Sequence, residues 1–490
     1  MKPKTNRFLP FALFTLLGAA NHAQAQSIYQ WNGTSSTDWA TAGNWTGQGL
    51  VGGTYNARLN VYNGTGQKLI YSATQGTTVY ASSARGLVIS AATNAVAGSM
   101  EITGGSFSTL GSASGDIIGN AATGTLTVSG GSFTGTAAGT ILGLNSGSGT
   151  STLTVSGSLN NPGSATLSTL QMSAATAIVN LNTYGTLTVN QIVDVDNSGA
   201  TGNSNTTFNF NGGTLKAGSG AVTDFMGLSG SSNALTNAYV KSGGAKIDTN
   251  GKSITISQAL LDGTGGGGLT LDDTAVTKGT LTLTNTNTYT GATTISTGTL
   301  KVSGSIGSSD VTVNGGILAS GSTGAVGKNV TVGTGAKFAA GDVGTVGAAT
   351  VANDLNFSSG SIFDWDLTTG AGNGTYDTVS VTGTLAITSG AKFNVVSSTV
   401  FSDPFWNTTH TWSNIFGGKA IDNFLVSNFQ YNGSATAPSA EGSFSISGAS
   451  LNWTAVPEPT SALAGLLLTV GLLQRRRQAL VAGVSVTQRE

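Results

Sequence analysis

Acidic side chains recur in close pairs along the chain: Asp194 with Asp196, Asp272 with Asp273, and Asp364 with Asp366. Such pairs are the raw material of polysaccharide chemistry, because glycoside hydrolysis needs two carboxyls roughly 5 to 9.5 Å apart. A lyase needs a base beside acidic groups or Ca²⁺ that neutralise a uronate. In the strand-like run Ile-Val-Asp-Val-Asp, Asp194 and Asp196 alternate and point to one side. They could seat Ca²⁺ there, but a strand end or corner in water is the simpler expectation. Asp272 and Asp273 are consecutive and should face opposite sides, a poor pair. Asp364 and Asp366 flank Trp365, which predicts solvated carboxylates around a buried indole. No Lys or Arg cluster accompanies any of the pairs.

Other chemistries are poorly supplied. His22 lies in a segment expected to be removed, so a Ser-His-Asp triad would hang on His410 alone. The absence of Cys excludes disulfides, thiolate metal sites and a thiol nucleophile. The run Gly265 to Gly268 lacks the Lys-Ser or Lys-Thr and the helix of a phosphate-binding loop, and reads as a turn. A formal net charge of -1 and a pI near 6.1 leave no basic footprint for nucleic acid. No catalytic residue, metal or cofactor is therefore expected.

What must position these residues is repetitive. Gly supplies 73 of 490 residues and charged residues only 8%, a composition that suits short strands and tight turns. Gly98-Ser-Met-Glu-Ile-Thr-Gly-Gly-Ser-Phe107 aligns with Gly124-Thr-Leu-Thr-Val-Ser-Gly-Gly-Ser-Phe133 at an offset of 26, and Ser151-Thr-Leu-Thr-Val-Ser-Gly follows 27 later. Ile117-Ile118-Gly119 returns as Ile141-Leu142-Gly143 after 24 residues, and Val311 to Gly321 returns from Val330 to Ala340 at an offset of 19. Each unit alternates apolar residues with Thr or Ser and closes on Gly, which places one row of side chains inward and one outward. Near-identical units predict stacked coils, so the fold class expected is all-β: a parallel β-helix whose crossovers are right-handed. Residues 64–400 would make about fourteen coils of about 24 residues, a rod of roughly 65 Å. Serial β-sandwiches are the other architecture the strands allow.

An open solenoid exposes strand edges at its ends. All seven Trp lie in two zones, with Trp31, Trp39 and Trp45 in one and Trp365, Trp406, Trp412 and Trp453 in the other. They are expected to plug the core as caps. Exposed Trp stacking on sugar rings is the alternative.

The two termini carry addresses. Lys2, Lys4 and Arg7 precede the apolar run Phe8 to Ala20 and the small-x-small site Ala23-Gln24-Ala25, a secretory signal cleaved after Ala25. At the other end come Pro457-Glu458-Pro459, the apolar run Ala462 to Leu473, and Arg475-Arg476-Arg477. A helix over those twelve apolar residues spans only about 18 Å, short of the roughly 30 Å hydrocarbon core, but the arginines can hold its end at the cytoplasmic interface. This ordered triplet, over about the last 35 residues, resembles the PEP-CTERM sorting signal of bacterial exported proteins. The resemblance implies a short transmembrane helix and an exosortase-type membrane enzyme that cuts near Pro-Glu-Pro and passes the protein to the cell surface or extracellular matrix. Here the chain continues past the arginines from Gln478 to Glu490.

From Lys278 to Val302 the residues Gly279, Leu281, Leu283, Asn287, Thr288, Tyr289, Thr290, Gly291, Thr294, Ile295, Gly298, Thr299 and Leu300 form a pattern that resembles the autotransporter-associated β-strand repeat. That resemblance implies a β-helical, passenger-type stalk outside a cell. The C-terminal region offers no room for the β-barrel of a secreted autotransporter. The organisation expected is a signal peptide (1–25), an N-terminal cap (26–63), a β-helix body (64–400), a C-terminal cap (401–455), a sorting segment (456–477) and a tail (478–490). The function expected is a non-catalytic surface or matrix stalk or adhesin that meets extracellular polysaccharide. The alternatives are a β-helix enzyme acting on polyanionic polysaccharide and a carbohydrate-binding protein.

Overall fold

The computed structural model describes residues 27–456, apart from the short segments 32–35, 47–52, 63–65, 73–76, 81–85, 91–95, 111–114, 121, 136, 145–148, 174–175, 196–204, 228–233, 323 and 435–440, together with residues 470–477. Parallel strands stack on three faces of a β-helix. The first face carries Leu69–Tyr71, Gly98–Ile102, Gly124–Val128, Thr150–Val155, Thr176–Asn182, Asn205–Asn211, Asn237–Val240 and Leu260–Asp262, in that order. It begins at Asp38, bridged to Ile70, passes from Leu260 to the Thr286 level by the Thr288 N–H donating to the Leu260 carbonyl, and continues by single bridges from Thr286 through Ser305 and Ala325 to Ala348–Val351 and Thr378–Val381. These fourteen levels, at about 4.8 Å each, make a stack of ~62 Å.

The second face runs from Thr77–Tyr80 to Leu385–Ile387, and the third from Ser27–Trp31 to Gln430–Tyr431. The long strands Gly53–Val61, Gly163–Met172 and Gly185–Asp194 turn a corner and belong to both. Parallel stacking therefore extends on both sides of residues 64–400. Among the described residues it also continues through the strands between 190 and 271, where the repeats fade in sequence, with a register shift at Asp224–Met226 on the third face, because the inward rows stay apolar even as the outward residues drift.

Register follows the repeats. Gly98 pairs with Gly124, Gly124 with Ser151, and Ile117 with Ile141, the offsets of 26, 27 and 24 read from sequence. One alignment needs correction. Val311 pairs with Val330 at the offset of 19, but Ile317 pairs with Lys337 and Leu318 with Phe338, an offset of 20. Holding the offset at 19 would set Lys337 above the inward Leu318, and a one-residue slip sends every side chain to the wrong face. The extra residue is absorbed in the Gly333–Ala336 turn, where Gly335 has φ +77°.

Alternation builds the core. Met100, Leu126, Leu153, Val179, Phe208, Ala238 and Leu260 form one inward column of register partners, all fully buried. Each buried Met, Leu, Val or Phe of the column contributes roughly 1.5–3 kcal/mol, and Ala238 less. At the N-terminal end Trp39 packs edge-on against Trp45, Tyr71 and Phe107 with ring centroids 4.9, 5.2 and 5.4 Å apart. Trp45–Thr46 also pairs antiparallel with Ser27–Trp31 and so covers part of the first edge. At the other end, Phe363, Trp365, Phe393, Phe416 and Phe424 fill the last coils beneath an antiparallel sheet of His410–Ser413, Ser450–Ala455 and Gly442–Ser447. All seven Trp are buried, which agrees with caps and removes indoles as exposed sugar platforms.

Residues 470–477 are helical and exposed. Among the described residues no helix is long and apolar enough to cross a membrane, and the rest of the apolar run expected to do so lies outside them.

Candidate functional site

The distinctive local structure is the coil at residues 278–302. Thr280–Leu283 and Thr299–Val302 stack in register on the third face, with Leu281, Leu283, Leu300 and Val302 inward. On the first face no strand forms at this level, and Asn287 takes its place. Its Oδ1 accepts the N–H of Leu260 from the coil below at 3.0 Å, and its Nδ2 donates to the carbonyl of Ser305 in the coil above at 3.1 Å. Tyr289 is buried beside it, its hydroxyl 2.8 Å from that of Thr293, which in turn lies 2.8 Å from that of Ser309. Burial pushes the Tyr289 phenol well above its ordinary range. Gly291 is required by close approach, since a Cβ there would stand 2.4 Å from the backbone of Gly267.

The outward side of this coil lines a groove of about 480 Å³. Ser253, Thr280 and Thr299 are register partners in one outward row, and Thr282 and Lys301 are partners in the next. Ile317 and Ala319 extend the floor, and Asp342 and Val343 form a wall. Lys301 Nζ lies 2.6 Å from Asp342 Oδ1. The wall belongs to the turn 341–347, which is tied down by Gly341 N–H donating to Ser320 Oγ at 2.8 Å and Gly347 N–H donating to Asp377 Oδ1 at 2.7 Å. Asp366 lies near the backbone N–H groups of Gly344 and Thr345, and the latter donates to the Asp342 carbonyl at 2.9 Å.

The carboxylates singled out in sequence lie elsewhere and are mostly structural. Asp194 is buried rather than solvated. It stacks over the inward Met172 at a corner and accepts the Thr206 hydroxyl at 2.8 Å. Asp196 lies outside the described residues. Asp272 and Asp273 do face opposite ways: Asp272 is exposed, and Asp273 is buried at a corner. Burial opposes ionisation of Asp273, but hydrogen bonds from Thr249, Gly279, Ala275 and Gly251 outweigh it and hold the carboxyl below its usual range. Asp116, which sequence did not single out, serves another corner by accepting Leu87 N–H at 2.9 Å and the Thr109 hydroxyl at 2.6 Å.

Asp364 and Asp366 also correct the expectation of solvated side chains. Both are buried, because the turn 341–347 and neighbouring coils cover the outward side of their strand. Asp364 pairs with Lys337 at 3.0 Å and accepts Asn394 Nδ2 at 2.7 Å. Asp366 is pushed up to about 6 by burial and by the charge of Asp364. Asp377, a third member with no acidic neighbour beside it in sequence, is pushed up to about 8, first by burial and then by the nearby charges of Asp366 and Asp364. None of the three lines the groove. No group of three or more His, Cys, Asp or Glu among the described residues has the geometry to hold a metal ion.

His410 is buried between Phe405, stacked at 3.9 Å, and Trp412. Its Nε2 lies 2.6 Å from the Phe405 carbonyl and its Nδ1 3.3 Å from Asn373 Oδ1, so no carboxylate orients it among the described residues. Gly265 and Gly266 take φ of +92° and +62°, and a Cβ at Gly268 would stand 1.9 Å from the Ala292 carbonyl, so the glycine run is a tight turn between coils. Ala23, Ala25, His22, Pro457, Glu458 and Pro459 lie outside the described residues, and Arg475, Arg476 and Arg477 are exposed on the short helix. The sequence pattern Thr-Leu-Thr-Leu carried the signal for the groove's hydroxyl floor, but nothing local announced the wall at Asp342 and Val343.

Residues 278–302 match the family model described as the passenger-associated-transport-repeat, the same residues that resemble the autotransporter-associated repeat in sequence. No curated protein and no solved structure matches the chain.

Proposed function

We propose that this chain is an exported, non-catalytic stalk or adhesin of the cell surface or extracellular matrix, displayed as a rod and sorted through its C-terminal segment. The observation that carries the reading is the passenger-type repeat seated within a parallel stack that is continuous on the second and third faces, whose outward rows are largely hydroxyl and uncharged. Residues 1–25 act as the secretion signal. Residues 456–477, from Pro457-Glu458-Pro459 to Arg475-Arg476-Arg477, act as a sorting signal for an exosortase-type enzyme, held in the membrane until cleavage. Burial of Asp194, Asp273, Asp364 and Asp366 and of His410 supports a structural body over a carbohydrate-active enzyme.

Cell fractionation with mass spectrometry of both termini tests this reading. A surface or matrix form that begins near Gln26 and ends near Pro457 is expected; a cytoplasmic chain intact from Met1 to Glu490 overturns it.

A further inference from the structure

We infer that the groove over the 278–302 coil is a binding site for an uncharged, linear oligosaccharide. This goes beyond the exported-stalk reading and does not depend on which terminus is processed. Outward partners in the floor repeat at about 4.8 Å along the rod, and the two rows lie about 7 Å apart across it. That vertical step is close to the length of one pyranose residue. Ser253, Thr280, Thr282 and Thr299 present hydroxyls, each able both to donate and to accept. Among the described residues these hydroxyls make no side-chain hydrogen bond with the protein, whereas Thr274 and Thr297 of the neighbouring corners are bonded to Asp248 and Asp272.

Beside the hydroxyls lie the aliphatic surfaces of Ile317 and Val343. A floor half hydroxyl and half aliphatic matches a pyranose, whose C–H face is apolar and whose rim is polar. Charge decides between a neutral glycan and a polyuronate. The groove's cation, Lys301, is neutralised by Asp342 at 2.6 Å, so a carboxylated sugar would have to compete with a carboxylate already in place. The volume of about 480 Å³ falls within the range of sites that enclose small ligands, enough for a short segment of chain.

The test is calorimetric titration of the purified mature protein with short linear gluco-, manno- and galacto-oligosaccharides and with oligogalacturonate. It is repeated on Thr282→Val and Thr299→Val, which keep the β-branched shape and remove one hydroxyl each, and on Thr312→Val, which does the same on the second face. Saturable binding to at least one neutral series is expected, weakened about tenfold by each groove variant and unchanged by Thr312→Val, with circular dichroism identical throughout. Absence of binding to every neutral series, binding confined to oligogalacturonate, or equal loss in all three variants would overturn the assignment. Each of these results leaves the cell-surface location, read by fractionation, unaffected.

Discussion

Asn287 Oδ1 accepts the backbone N–H of Leu260 at 3.0 Å, a bond between adjacent coils at a level where the first face has no strand. A side chain there does the work of a ladder carbonyl, and its amide reaches the next coil as well. Replacing it with Ala strands the buried N–H of Leu260, a loss of roughly 1–3 kcal/mol, while the Ser305 carbonyl keeps the backbone N–H of residue 287 at 2.8 Å. Denaturant unfolding of Asn287→Ala should show a lower midpoint of that size. A change within a few tenths would mean that the amide is not a coil-to-coil tie.

Gly291 and Gly307 make a matched pair of probes on neighbouring turns. A Cβ at Gly291 meets the Gly267 backbone at 2.4 Å, whereas one at Gly307 meets only Ser305 Oγ at 3.4 Å. Gly291→Ala should cost about 1–3 kcal/mol by forcing coils apart, and Gly307→Ala should be near neutral or slightly stabilising. Equal effects by thermal denaturation would argue against the close coil contact.

Alternation and repeat spacing made the stack legible in advance, because period two and near-identical units leave few ways to bury Leu126, Leu153 and Val179 together. The slip at Ile317 and Lys337 was illegible in the aligned letters, since a turn can absorb one residue without disturbing either flank. Asp194, Asp364 and Asp366 are buried where their local sequence predicts solvated side chains, because their partners arrive from other coils and from the turn 341–347. Lys301 and Asp342, 41 positions apart in sequence, meet for the same reason.

The buried trio predicts an unusual pH response. Asp366 and Asp377 are raised to about 6 and about 8, above the roughly 3.9 of an unfolded Asp. The folded state therefore binds more protons than the unfolded state between those values, and stability falls as pH rises from about 4 to about 8. Asp366→Asn removes one charge while keeping the side chain's shape and a carbonyl acceptor. Melting temperatures from pH 4 to 8 should decline for the wild type and decline less for this variant; parallel curves would contradict the trio's role.

Trp39 seals the first coils against Tyr71 and Phe107. Trp39→Ala should cost about 3–5 kcal/mol, and in a solenoid the loss should be local. Hydrogen exchange should quicken in Leu69–Tyr71 and Gly98–Ile102 while Thr280–Leu283 stays protected. Uniform loss along the chain would show that the stack melts as one unit.

Ser132, Thr270 and Thr331 lie in one outward row of the second face, linked by register through Ser164, Thr186, Thr214, Lys246, Thr294 and Thr312. The chain has no Cys, so paired cysteines at these positions accept spin labels cleanly. Five coil steps separate Ser132 from Thr270 and eight separate it from Thr331, or about 24 Å and about 38 Å at the parallel-strand spacing. Double electron–electron resonance should return two narrow distances in that ratio. Equal distances, or a Ser132–Thr331 separation shorter than Ser132–Thr270, would contradict the stack.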